Sequence, residues 1–195
     1  MLNDRSSALA LLQTRRSGRP REMVAPGPDA DELATILSVA ARTPDHGKLT
    51  PWRFVVVGDD QRDALSALLE RALPESVADA SDAHFAKARE FAHQAPALVV
   101  LVAAPTQGHK IPVWEQELSV GAAAMNLLLA AHALGYVGGW ITGWAAMSTR
   151  VRAAFCAPGE SIAGFLFLGS PGVPLEERPR PSPDTVARAW SPPSA

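Results

Sequence analysis

Apolar positions in this chain fall into three patterns. The first repeats at helical spacing. Ala8, Leu9, Leu11 and Leu12 follow Ser6 and Ser7, either of which can accept a backbone N–H at a helix start. That segment stops at Arg15-Arg16-Ser17-Gly18, with Pro20 beyond. After the turn Ala25-Pro26-Gly27-Pro28, Asp29 opens a second helix with Leu33, Ile36, Leu37, Ala40 and Ala41 inward, closed by Pro44. Helices are also predicted from Gln61 to Ala72, within the charged stretch Pro74 to Gln94, which has no apolar stripe, and from Thr149 to Phe155.

The second pattern is the short continuous apolar run. Arg53 to Val57 is a strand rich in β-branched residues. Ala97 to Ala103 reads as a strand covered on both faces. Further strands are predicted near Val137 to Thr142 and from Ile162 to Leu168, the last closed by Gly169. The third pattern occurs once. Trp114-Glu115-Gln116-Glu117 leads into Leu118 to Leu134, which is nearly uncharged on every side. Such a helix is surrounded by protein or lipid. It contains Ser119, Gly121, Asn126 and His132 and is shorter than the roughly 20 apolar residues of a membrane span, so a buried protein helix is expected. Gly135 to Gly143 follows, with Trp140 inside it and Trp144 just after, a place where backbone can approach a flat ligand closely. The other reading is a tight helix-to-strand turn with both tryptophans in the core.

These elements predict an α+β domain, a three-layer α/β/α sandwich around a central sheet, over residues 1–171. Residues 172–195 form a proline-rich extended tail whose natural anchor is Trp190. A chain of 195 residues and 47% hydrophobic content supports one sizeable core. Net charge −2 gives no electrostatic case for nucleic acid or an anionic membrane. The lone Cys156 excludes an internal disulfide and a cysteine metal cluster and fits a reducing compartment. Met1 to Arg16 carries charges and no apolar signal region, so a cytoplasmic protein is expected. His46, His84, His93, His109 and His132 are scattered without ligand spacing, and no metal site is expected. Neither a Gly-x-Gly-x-x-Gly fingerprint nor a P-loop is present.

Two cationic motifs carry candidate chemistry. Arg15-Arg16-Ser17 offers many donors in a small space, suited to a phosphate or an electron-rich ring edge; cations at a helix C-terminus are the plainer explanation. Arg42-Thr43-Pro44-Asp45-His46 puts a guanidinium and an imidazole within reach of one ligand, again with helix termination as the plainer explanation.

Taken in order, these two motifs with Pro51-Trp52-Arg53-Phe54, Trp114-Glu115-Gln116-Glu117, Gly135 to Gly143 and Gly164-Phe165-Leu166-Phe167-Leu168-Gly169 resemble the FMN-dependent nitroreductase family, and within it the minimal-length NAD(P)H nitroreductases. The resemblance covers roughly residues 8 to 171. It implies a central, mostly antiparallel sheet and an obligate homodimer with FMN at the subunit interface. It further implies that Arg15, Arg16 and Ser17 hold flavin phosphate and ring polar atoms from one subunit. Arg42 and His46 would come from the other. Trp140, Ile141 and Thr142 would line the flavin, and Ala130 to Gly135 would meet the nicotinamide donor. The implied activity is hydride transfer from NAD(P)H to FMN, then reduction of a nitroaromatic, quinone or similar small acceptor in a ping-pong cycle. No catalytic side chain is implied. Related chemistries in the superfamily are dehalogenation and flavin fragmentation, and a flavin-storage protein with little turnover is the alternative from another class. The chain departs from the pattern at Lys48-Leu49-Thr50-Pro51-Trp52, where larger members carry Asn-x-Gln-Pro-Trp, and at Trp140-Ile141-Thr142, where the subgroup often has Trp-Arg-Ser.

Overall fold

The structure is a computed structural model that describes residues 1–193. The apolar runs assemble into a sheet of β1 (Met23–Val24), β2 (Trp52–Val57), β3 (Ala97–Ala103), β4 (Val137–Ile141) and β5 (Ser161–Pro171). All pairings are antiparallel. β3 and β5 are central; β2 forms one edge, and β4 and β1 lie in succession along the other side of β5.

Alternation along the central strands builds two cores, because successive side chains point to opposite faces. Leu98, Val100, Val102, Phe165 and Phe167 face α3 (Arg62–Ser76), α4 (Asp82–Phe91), α6 (Trp144–Met147) and α7 (Thr149–Phe155). Val99, Leu101, Leu166 and Leu168 face α2 (Ala30–Ala40) and α5 (Val113–Leu134). The three-layer arrangement expected from the sequence is therefore present. α1 (Ala8–Thr14) packs on the α5 side, and α8 (Pro183–Val186) is a single turn in the tail.

Local chemistry sets the boundaries. Ser7 caps α1 by accepting the Ala10 N–H at 3.0 Å. Asp29 and Glu32 form a reciprocal cap at the start of α2. Gly135, at φ 102°, terminates α5 in a left-handed conformation that a Cβ would oppose. The charged stretch predicted to contain helix splits. α3 continues through Pro74 to Ser76, and α4 begins at Asp82 after a turn with Asp79 at φ 55°. α6, β1 and α8 are additional to the predicted elements.

From Leu118 onward α5 carries no Asp, Glu, Lys or Arg, but it is not buried all round. One side, with Val120, Ala123, Ala124, Leu127, Leu128 and Ala131, enters the core. The opposite side presents Trp114, Leu118, Ala122, Met125, Leu129 and Ala133, spaced by three or four residues as one helical stripe, all exposed or half-buried. Leu9 and Leu12 of α1 are likewise 64% and 55% exposed. By length and composition α5 is the one described helix apolar enough to cross a membrane, yet its inner side belongs to the core.

Candidate functional site

The end of α1 gathers several arginines. Asn3 fixes the turn by bracketing Arg16: its amide oxygen accepts the Arg16 N–H at 2.7 Å and its NH₂ donates to the Arg16 carbonyl at 3.2 Å. Arg15 donates to the Ser17 hydroxyl at 3.1 Å. The proline-rich tail then folds back over this turn. Arg16 Nε donates to the Glu176 carbonyl at 2.6 Å, and Arg180 donates to the Arg15 carbonyl at 3.3 Å. Burial, with Arg180, Arg16 and Arg178 close by, lowers the pKa of Arg15 from its usual value. Arg15 Nε is buried without a hydrogen-bond partner among the described residues. Arg180 also donates to the Glu177 carboxylate at 3.1 Å, so one carboxylate already stands among the four guanidiniums, and the positive excess with an unsatisfied Arg15 donor suits an anion.

Arg178 and Arg180 are functional candidates that sequence reasoning missed. The signal was available: Arg-Pro-Arg-Pro places two cations on a stiff extended segment. Trp190, the expected anchor, is 81% exposed.

The second motif runs along α5 from Asn126 toward the helix start. Thr43 is buried and donates to the Ala40 carbonyl at 2.9 Å, while Asn126 of α5 donates to the Thr43 hydroxyl at 2.7 Å. Ser119 of α5 donates to the Pro44 carbonyl at 2.6 Å. These bonds dock the loop on α5 and leave Arg42 exposed. His46 Nδ1 pairs with Glu115 Oε1 at 2.6 Å. The loop then passes through three left-handed residues, Gly47, Lys48 and Thr50, at φ 80°, 56° and 49°. Such strain in non-glycine residues, β-branched Thr50 above all, collects at functional sites. Asp45 holds it by accepting the Thr50 N–H at 2.7 Å.

Within one chain His46 and Arg15 stand well apart. His46 is tied to Glu115 near the start of α5, whereas the Arg15 charge acts on His132 in its last turn, about 25 Å further along the helix at 1.5 Å per residue.

β4 supplies the third group. Trp140 Nε1 donates to the Ala163 carbonyl at 3.0 Å. Gly164 makes this possible, since a Cβ there would lie 2.0 Å from Nε1. Ile141 packs into the core, so no side-chain cation stands at that position. Thr142 is exposed. Of Ala130 to Gly135, Ala130, Ala131 and His132 turn inward, and Ala133, Leu134 and Gly135 are exposed. Two remaining motifs are structural in this chain. Gln116 accepts from Thr106 N–H at 2.8 Å and donates to the Thr106 and Ile111 carbonyls, both at 3.1 Å, so it clamps the loop before α5. Arg53 pairs with Glu160 and donates to the Phe155 carbonyl.

The nitroreductase family model matches residues 12–170 of this chain. The chain is 39% identical over 165 residues to an Escherichia coli (strain K12) protein named "Putative NAD(P)H nitroreductase YdjA", a match covering 84% of this chain and 88% of that one. A nitroreductase-like family protein from Bacillus cereus has the same fold, with a TM-score of 0.80 at 19% identity over 95% of this chain and 96% of that one. A nitroreductase with bound FMN from Bacteroides fragilis NCTC 9343 aligns with a TM-score of 0.66 at 25% identity, covering 89% of this chain and 94% of that one.

Proposed function

The chain belongs to the nitroreductase family, and from that premise we propose that two copies form a cytoplasmic, FMN-dependent, NAD(P)H-driven oxidoreductase that reduces a nitroaromatic, quinone or similar small acceptor. The observation that carries this reading is the guanidinium cluster at Arg15, Arg16, Arg178 and Arg180 with its unpartnered Arg15 Nε. A flavin phosphate would supply acceptor oxygens and balance the positive excess that Glu177 alone leaves, so the residues fit the group.

When bound, FMN supplies the redox chemistry, accepting hydride from NAD(P)H and delivering the electrons to the acceptor in a ping-pong cycle. The protein binds, orients and excludes water. Arg15, Arg16 and Ser17 hold the phosphate end, with Arg178 and Arg180 closing over it. The backbone of Trp140, Ile141 and Thr142 lines the ring, and the Trp140 bond to Ala163 keeps that strand end in place. Ile141 brings no cation, so positive charge near the ring comes from the arginine loops.

The roughly 25 Å separation of His46 from Arg15 supports a two-subunit site. Antiparallel pairing of two α5 helices along their outer stripes brings the Arg42–His46 end of one copy beside the Arg15 end of the other. It also covers Leu118, Leu129 and their neighbours, which one copy leaves open. Initial rates against NADPH at several fixed quinone concentrations test the cycle. Parallel double-reciprocal lines are expected, and intersecting lines contradict ping-pong. Tightly bound FMN with little NADPH oxidation favours storage, the reading that Ile141 in place of arginine supports.

A further inference from the structure

One hydrogen-bonded path joins the last turn of α5, strand β4 and the arginine loop. His132 is 0% exposed. Its root is rigid, because its own carbonyl accepts the Gly135 N–H at 3.0 Å and the neighbouring Ala131 carbonyl accepts the Tyr136 N–H at 3.0 Å. Its Nε2 accepts the Gly138 N–H at 3.2 Å. The Gly138 carbonyl in turn accepts the Gly18 N–H at 3.2 Å.

Strand geometry explains why this path exists. In an antiparallel strand the N–H and C=O of one residue point to the same side. At Gly138 both point away from β5, into the edge that pairing leaves open. Left alone they would be buried and unsatisfied, since Gly138 is buried. His132 takes the donor and Gly18 takes the acceptor. There is no slack: a Cβ at Gly138 would lie 2.5 Å from Leu128 Cδ2, and one at Gly139 would lie 2.9 Å from the Gly18 carbonyl oxygen. Strand and loop are in backbone contact, so movement of β4 carries to Gly18. Ser17, the next residue, is the one that receives the Arg15 guanidinium.

We infer that His132 is a positioning residue of the flavin site, whose Nε2 fixes Gly138 and, through Gly138, the Arg15–Gly18 loop. The inference rests on the FMN reading above. The imidazole must be neutral to accept, and burial beside the Arg15 guanidinium keeps it so, with its pKa lowered to about 4. With Nε2 accepting, the proton resides on Nδ1, which is buried without a partner among the described residues. An aliphatic side chain would fill the same space but leave the buried Gly138 N–H without its acceptor.

The test compares FMN affinity of wild type, H132Q and H132M apoprotein by flavin fluorescence titration, at a temperature where far-UV circular dichroism of all three coincides. Glutamine and methionine have nearly equal length, but only glutamine places a carbonyl oxygen where Nε2 stands. H132Q is expected to bind within about threefold of wild type. H132M is expected to bind about tenfold or more weakly, the consequence of a buried donor left without its acceptor. Wild-type affinity in H132M overturns the inference. So does an H132Q as weak as H132M, which would make ring shape the determinant. An H132M that fails to fold where H132Q folds makes the role structural and overturns it as well. Failure of the wild type itself to bind FMN is a different result, and it removes the flavin reading first.

Discussion

Replacing Leu118 with glutamate separates the fold of the chain from its assembly. Leu118 lies on the outer stripe of α5 with 65% of its surface open, so the core of a single copy does not depend on it. Complete burial of a leucine is worth about 1.5–3 kcal/mol, which leaves about 1–2 kcal/mol to be gained at an interface. A two-fold dimer carries the change in both copies, so the apolar loss is about 2–4 kcal/mol. A glutamate forced against an apolar partner adds desolvation of several kcal/mol. A total near 5 kcal/mol raises the dimer dissociation constant by more than about 1000-fold. Sedimentation velocity at micromolar concentration, followed at both protein and flavin wavelengths, reads assembly and cofactor together. The expected product is a monomer with wild-type circular dichroism and little FMN, because Arg42 and His46 of the partner copy are lost with the interface. An L118E protein that remains a dimer with wild-type affinity would refute the argument. Leu128 is no substitute for this test. It is 3% exposed and packs inside the chain's own core, so an aspartate there unfolds the subunit itself.

Three further outcomes are expected. Arg15→Ala weakens FMN by about 1.5–3 kcal/mol, the range for a hydrogen bond to a charged group, while the dimer stays folded; a fully loaded yellow variant contradicts the phosphate role. Lowering the pH destabilises the apoprotein through His132. Its pKa is about 4 in the fold against 6.5 when free, so the unfolded chain takes up a proton that the native one does not, and stability declines from about pH 6.5 to pH 4 by roughly 3 kcal/mol. Denaturant titrations at pH 7 and 4.5 read this against H132Q, and equal pH dependence in both proteins contradicts it. Gly164→Ala drives a methyl into Trp140 Nε1 and costs about 1–3 kcal/mol together with weaker FMN binding, checked by thermal melts and titration; an unchanged melting temperature contradicts the pinning of Trp140.

The sheet was legible because burial on both faces leaves a plain mark. Ala97 to Ala103 and Ile162 to Leu168 are continuous apolar runs, and both became central strands. Capping chemistry at Ser7 and Asp29 placed two helix starts within a residue. β1 was invisible because two residues carry no periodicity. α5 marks the boundary of what composition reveals: its inner and outer sides are equally apolar, so the sequence could not say which enters the core and which faces away. The cationic motifs were legible as local clusters. Their enlargement by Arg178 and Arg180, more than 150 residues downstream, is a tertiary event: Arg-Pro-Arg-Pro marks a stiff cationic segment but not the turn it folds back on. His132 looked like any core histidine, since only the fold brings Gly138 to its ring.

The most direct measurement of the central claim is the visible spectrum of the purified protein, recorded again after anaerobic NADH or NADPH. An oxidised-flavin spectrum that bleaches on adding the nicotinamide is expected. A colourless protein that also fails to take up added FMN would contradict it.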